Sequence, residues 1–263
     1  MFLFAMVRMT AAALSIMLLF PVPFCRAEEG PLSSRPIRTV VLDFKNYYLA
    51  PSNLLPLGIG IAVDAVPANT NIDRWIRDKY RNDLRSGGTD DIARIAKAPG
   101  SAVVTVPVFA GAYGIGLLTG NPTLKEWSER SFRATIVGTP ALLILERGLG
   151  SGRPEDGNSH WRPFHAHEGA SGHAYFGAIP FLTAAEMSEN PYWKGLLYGI
   201  SALPGLSRIN DDAHYFSQVS LGWYLAYLSC RVVSKGIGGD AVQTKIGLAP
   251  VQGGMAVTFL RVF

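Results

Sequence analysis

The chain is short of charge. Asp, Glu, Lys and Arg make up 17% of its 263 residues, against roughly 25% in an ordinary soluble domain. Blocks of basic residues are missing as well, so a pI near 9.1 leaves no electrostatic footprint for nucleic acid; no nucleic-acid partner is expected. Cysteine is nearly absent: there are two, Cys25 and Cys230, and the first lies in a stretch that reads as a removable leader. A mature chain with Cys230 alone has neither an intrachain disulfide nor a thiolate metal cluster. Internal repeats and low-complexity runs are lacking. Long apolar runs are scarce too. Past the N-terminus only 101–118, SAVVTVPVFAGAYGIGLL, reaches the roughly 18 uncharged residues that a membrane span requires.

What is present is an apolar chain, 48% hydrophobic with mean hydropathy +0.18, of a length that suits one or two domains. It is too apolar for a well-solvated enzyme and too interrupted for a polytopic transporter. The first 30 residues, MFLFAMVRMTAAALSIMLLFPVPFCRAEEG, place Arg8 before an apolar run and end it at Cys25-Arg26-Ala27. Small residues three and one before a cut after Ala27, with acid just beyond, read as a secretory signal peptide over 1–27. Its loss removes Arg8 and Arg26 and lowers the formal net charge from +4 to +2. The expected location is outside the cytoplasm, in the periplasm or associated with a cell-envelope membrane.

Residues 36–48, PIRTVVLDFKNYY, have the β-branched and aromatic character of a short strand. Ile72, Trp75, Ile76 and Tyr80 fall at helical spacing, and Gly87-Gly88 should stop that helix. Apolar helices are expected over 101–118, 131–147, 172–187, 193–206 and 216–233. The last segment, KIGLAPVQGGMAVTFLRVF, reads as two short strands around Gly253-Gly254. The expected fold is therefore all-α, a bundle of about five to seven helices, with short β segments near both ends of the mature chain. The main domain spans 28–235, and 236–263 is a tail that forms a hairpin.

Polar residues cluster where these apolar helices end. In LERGLGSGRPEDG (145–157) a helix runs into Gly-rich sequence and presents Arg147, Arg153 and Pro154. In EGASGHAYFGAIPF (168–181) Ser171 occupies an N-cap position, and Gly172 and His173 open a helix whose free N–H groups and dipole favour an anion. In LSRINDDAHYFSQ (206–218) Ser207 and Arg208 precede a turn and His214 heads the last long helix. Guanidinium forks match phosphate oxygens. One imidazole could attack phosphorus while the other protonates the leaving oxygen.

This order resembles the type 2 phosphatidic acid phosphatase superfamily, which also holds bacterial non-specific acid phosphatases and vanadium haloperoxidases. The family pattern is Lys, six residues, Arg-Pro; then Pro-Ser-Gly-His; then Ser-Arg, five residues, His, three residues, Asp. Here the matching residues are Arg153-Pro154, Ala170-Ser171-Gly172-His173, and Ser207-Arg208 with five residues to His214. The resemblance covers about 146–230, and its last motif is the most specific. It implies a phosphoric monoester hydrolase with His214 as nucleophile, a phosphohistidine intermediate and His173 as general acid and base. Arg153, Arg208, Ser171 and the Gly172 amide would bind the phosphoryl oxygens. No metal or other cofactor is implied. A phosphorylated small molecule or lipid is the implied substrate, and the apolar composition favours a lipid phosphate or polyprenyl diphosphate.

Three positions depart from the pattern. The family's Lys is Glu146, with Arg147 next to it as a candidate substitute for phosphate binding. The Pro before Ser-Gly-His is Ala170. The Asp four residues after the nucleophile is Gln218, which on a helix shares a face with His214. A Gln carbonyl oxygen can orient an imidazole but brings no negative charge, and Asp211 or Asp212 could restore some field. On this reading Gln218→Asp should raise turnover. Three alternatives stay open at the level of sequence: a vanadate-dependent haloperoxidase with His214 on vanadium, a degenerate phosphate- or lipid-binding module, and a metal site built from His160, His165, His167 and Glu168.

Overall fold

The computed structural model describes residues 36–238, 243–251 and 254–262; the expected signal peptide over 1–27 lies outside them. The described chain is predominantly helical, with more helices than the five to seven expected. The first, α1 (Pro36–Tyr48), lies where a strand was expected. Its β-branched run misleads, because what it buries recurs every four residues: Thr39, Asp43 and Tyr47. That is one face of a helix, whereas a half-buried strand would bury alternate positions. Asp43 on that face meets Arg133 at 2.7 Å.

Then follow α2 (Pro51–Ala68), α3 (Ile72–Asp83) and α4 (Gly87–Ala96). Gly87-Gly88 does not end the previous helix, which stops at Asp83 with Leu84 as its C-cap; it opens α4, because Ser86 and Thr89 form a reciprocal capping box there. Of the apolar helices, α5 (Ala102–Thr119) and α7 (Gly172–Met187) follow close to their expected bounds, whereas α6 (Pro122–Leu149) starts nine residues before the expected 131. The expected 193–206 helix is two, α8 (Pro191–Ser201) and α9 (Leu203–Asn210), which meet at Ala202. The last, α10 (Phe216–Gly238), packs on α7, α6 and α2. Tyr175, Leu182, Leu221, Leu225 and Leu228 are fully buried along this seam. Beyond the bundle, β1 (Gln243–Val251) pairs antiparallel with β2 (Gly254–Val262), from Gln243 opposite Val262 to Val251 opposite Gly254.

Among the described residues α5 alone is long and apolar enough to cross a membrane, and α1 with α2 passes the same test as a pair bent by 54°. Many of their apolar side chains face outward, including Ile37, Leu55, Ile59, Val63, Val103 and Leu118.

One polar contact fixes where α10 begins. Asp73, in the first turn of α3 and fully buried, accepts a hydrogen bond from the Ser217 N–H at 3.0 Å and another from the Ser217 hydroxyl. A carboxylate from one helix thus caps the N-terminus of another, where free N–H groups and the dipole favour it. Asp73→Ala leaves both donors buried and unsatisfied, and should cost about 2–3 kcal/mol. Urea denaturation followed by circular dichroism checks this, and a loss below about 0.5 kcal/mol would show the cap to be dispensable.

Candidate active site

All three motif stretches meet at the start of α10. Gln218 occupies the third position of that helix, and its side chain turns back to accept the Tyr215 N–H at 3.0 Å, one half of a capping box. The same oxygen, Oε1, lies 3.0 Å from His214 Nδ1. Its Nε2 donates to the Gly152 carbonyl at 2.7 Å and to Ser151 Oγ at 2.9 Å. The Gln218 backbone carbonyl accepts the Ser171 N–H at 2.8 Å. One fully buried residue therefore ties together the loop before Arg153, the start of α7 and the turn carrying His214.

These partners settle the chemistry of the imidazole. A backbone N–H only donates and a carbonyl only accepts, so Tyr215 and Gly152 fix which end of the Gln218 amide is oxygen. His214 Nδ1, facing that oxygen, must carry the proton. Nε2 is left with its lone pair free. His214 is 7% exposed, and its pKa is pushed down to about 4, first by burial, which the Gln218 bond opposes, and then by the charges of Arg208, Arg153 and His173. Above that pH the ring is neutral and able to act as a nucleophile.

The same electrostatic coupling locates the other residues. Arg208, Arg153 and His173 all stand close enough to His214 for their charge to act on it. Arg208 comes from the last turn of α9. Its Nη1 lies 3.2 Å from Asp211, while its buried Nε has no partner among the described residues. A phosphoryl oxygen in the pocket would satisfy that donor. The Arg208 carbonyl accepts the N–H groups of Ala213 at 2.9 Å and of His214 at 3.3 Å, which closes the turn between the two side chains. Arg153 precedes a 3-10 turn (Pro154–Asp156) and donates from Nη2 to Glu168 at 2.6 Å.

Ser171, fully buried, caps α7 and accepts the Ala174 N–H at 3.4 Å. Gly222, one turn beyond Gln218, lets α10 come this close, since a Cβ there would lie 2.3 Å from the Ser171 carbonyl. His173 packs on Gly100, and its pKa is lowered by burial and then by the charges of Arg208 and Lys97. Ala170 is fully buried beneath this turn.

Glu146, at the position of the family's Lys, stays compatible with an anion. The Glu146 carboxyl reaches the start of α7, with Oε1 3.5 Å from where a Cβ on Gly172 would sit. Burial and the charge of Glu168 raise its pKa to about 7, against a smaller downward pull from Arg147. Near neutrality it is protonated half the time, and a neutral carboxyl donates to an anion where a carboxylate repels it. Arg147 is exposed; its influence here is the charge it exerts on Glu146.

Several contributors are invisible in the motifs. Lys97, at the end of α4, lies 3.2 Å from Asp211 and adds its charge beside His173. Ser151 passes the hydrogen-bond chain on to the Ser159 carbonyl at 2.7 Å. Nothing local in sequence marks either one; Lys97 meets Asp211 across 114 residues of chain, and Ser151 meets Gln218 across 67. Asp212 turns away from His214 and is held by Arg77 at 2.6 Å and by Arg81. Asp211 is occupied by Arg208 and Lys97. The rival metal set does not assemble either: His165 and His167 are exposed, Glu168 is bound to Arg153, and no group of three metal-ligating side chains forms among the described residues.

Comparison with known proteins agrees with the motif arrangement. No curated protein and no solved structure matches the chain. Residues 133–239 match the family model of the PAP2 superfamily, a stretch that starts inside α6, ends with α10 and includes all three motif clusters. The match covers less than half of the chain, and it makes the helical region carrying the site similar to the PAP2 superfamily.

Proposed function

We propose that the protein is a phosphatase that hydrolyses phosphate monoesters through a phosphohistidine formed on His214. The observation that carries this reading is the His214 ring itself: neutral, with Nδ1–H held on Gln218 and the Nε2 lone pair free beside two arginines and a second histidine. Nε2 attacks phosphorus and the bond to the leaving oxygen breaks. His173 supplies the proton to that oxygen, then takes one from water as the phosphohistidine is hydrolysed. The incoming phosphate offsets the Arg208 and Lys97 charges that depress the His173 pKa, which lets it hold a proton when one is needed. Arg153, Arg208, Ser171 and the Gly172 amide stabilise the equatorial oxygens.

A lipid phosphate or polyprenyl diphosphate is favoured as substrate. Outward-facing apolar side chains on α1, α2 and α5 support this, together with an apolar trough between α1, α5 and α6 lined by Ile37, Val41, Phe109, Tyr113, Phe132 and Ile136. The same surfaces support a membrane-associated location.

The test is hydrolysis of a chromogenic phosphate ester with EDTA present, and recovery of an acid-labile phosphoenzyme after rapid quench. Turnover that EDTA abolishes would overturn the proposal, and binding without turnover would favour a degenerate module. Halide oxidation appearing with added vanadate and peroxide would favour a haloperoxidase.

The pH dependence follows from two groups. As pH falls through about 4, His214 takes a proton and loses its lone pair. As pH rises through about 7, Glu146 loses its proton and sets a negative charge beside the phosphate. The profile of kcat/KM should therefore fall on both sides of a mildly acidic optimum. Glu146→Gln removes the Glu146 share of the alkaline limb and leaves the share set by deprotonation of His173, so at pH 8 its kcat/KM should exceed that of wild type by about tenfold. A variant with no gain at pH 8 would assign the limb to His173 alone.

A further inference from the structure

We propose that Glu168 supplies His214 with the negative charge that Gln218 lacks, and that it acts as a positioning residue gripping both Arg153 and the nucleophile. This rests on the phosphatase reading above. Glu168 Oε1 accepts from Arg153 Nη2 at 2.6 Å, and Oε2 lies 3.8 Å from His214 Nδ1. That nitrogen is the one facing Gln218 and bearing the proton. The carboxylate thus sits beside the protonated edge of the ring, leaving the Nε2 lone pair for the substrate.

The backbone holds Glu168 there. The next residue, Gly169, donates its N–H to the Glu146 carbonyl at 3.0 Å, and a Cβ on Gly169 would lie 2.3 Å from the Leu145 carbonyl. Only glycine allows the loop to press so closely on the end of α6. The other nearby carboxylates are spoken for, Asp211 by Arg208 and Lys97, and Asp212 by Arg77 and Arg81. Glu146 completes the set of charged groups around this corner. Burial and then the Glu168 charge raise its pKa, as expected where two carboxyl groups share one corner.

The chemistry gives the charge its use. When the Nε2 lone pair forms the bond to phosphorus, Nδ1 keeps its proton and the ring becomes a cation. The electrons of the broken P–O bond leave with the oxygen that His173 protonates. A carboxylate 3.8 Å from Nδ1 favours that cation, while Gln218 holds the ring's orientation. Hydrolysis returns the ring to neutrality. Glu168 neither gains nor loses a proton.

The experiment compares wild type with Glu168→Gln, as full-length proteins in the same detergent. It measures kcat and KM for a chromogenic phosphate ester, and affinities for inorganic phosphate and orthovanadate. Vanadate bonds to the nucleophile and draws positive charge onto the ring; phosphate only occupies the pocket. Glu168→Gln should lower kcat by about 10- to 100-fold and reduce the preference for vanadate over phosphate by about tenfold. In the double variant Glu168→Gln/Gln218→Glu, a charge returns to Nδ1 and part of the vanadate preference should return with it. An unchanged preference, or equal losses for both anions, would make Glu168 a structural tether for Arg153 and overturn the inference, while wild-type turnover kept the phosphatase reading. Wild type without turnover would remove that reading and this inference together.

Discussion

His214→Ala should abolish phosphate-ester hydrolysis, lowering kcat by about 10⁴-fold or more, while the protein still folds. His214 is the site imidazole whose Nδ1 is held on Gln218, which leaves Nε2 free to attack. Deleting the imidazole also strands little. Gln218 Oε1 keeps the Tyr215 N–H at 3.0 Å, and Nε2 keeps its bonds to Gly152 and Ser151. The loss of a buried neutral ring should cost about 0.5–3 kcal/mol, short of unfolding a domain of this size. Steady-state kinetics beside a thermal melt separates the two effects. Residual turnover within about a hundredfold of wild type would move the nucleophile to another residue.

Gln218→Asp is the second large effect, and its direction reverses the simplest expectation. Restoring the family's residue looks like restoring the charge, yet here it should lower kcat by about 100-fold and destabilise the protein by about 2–4 kcal/mol. The Asp side chain is one methylene shorter and has no donor. The Gly152 carbonyl and Ser151 Oγ, paired with Gln218 Nε2 at 2.7 and 2.9 Å, would lose that donor inside the protein, and the Tyr215 N–H would be out of reach. Gln218→Glu keeps the length and the contacts of Oε1 but turns an anionic oxygen toward the Gly152 carbonyl. It should therefore be impaired less in orientation than in stability. Kinetics and urea melts on both variants check this. A rise in kcat for Gln218→Asp would mean that the bond to Gly152 contributes nothing and that charge alone limits the wild type.

Much of this architecture could be read from the residues. The apolar helices are legible because their burial is continuous and Gly, Pro and Ser mark their ends; α7 has its expected bounds. The start of α6 was missed because 122–130, PTLKEWSER, is charged and shows no apolar period until Trp127 is buried against α7 through its bond to the Pro180 carbonyl at 2.9 Å. The Thr-Val-Val run of α1 imitates a strand because propensity describes a residue's own backbone, while the face α1 buries is chosen by α6 and α10. At the site, motif spacing was enough to select Arg153, Ser171, His173, Arg208, His214 and Gln218. It could not say what Gln218 binds, since Gly152 and Ser151 lie more than sixty residues away. Glu168 drew notice only as a neighbour of His167; its partners, Arg153 and His214, come from two other segments.

The turn from Arg208 to His214 is a closed ring. Both Ala213 and His214 donate backward to the Arg208 carbonyl, and Asp212 reaches the left-handed conformation needed to bend the chain back, with φ 54°. The guanidinium and the imidazole are thus the two ends of one cyclic unit. Its length matters more than its lettering: the intervening residues can change within their packing, whereas one residue added or removed would slide His214 past its anchor. The span of five residues is a ruler, and it sets the separation of the guanidinium and the imidazole.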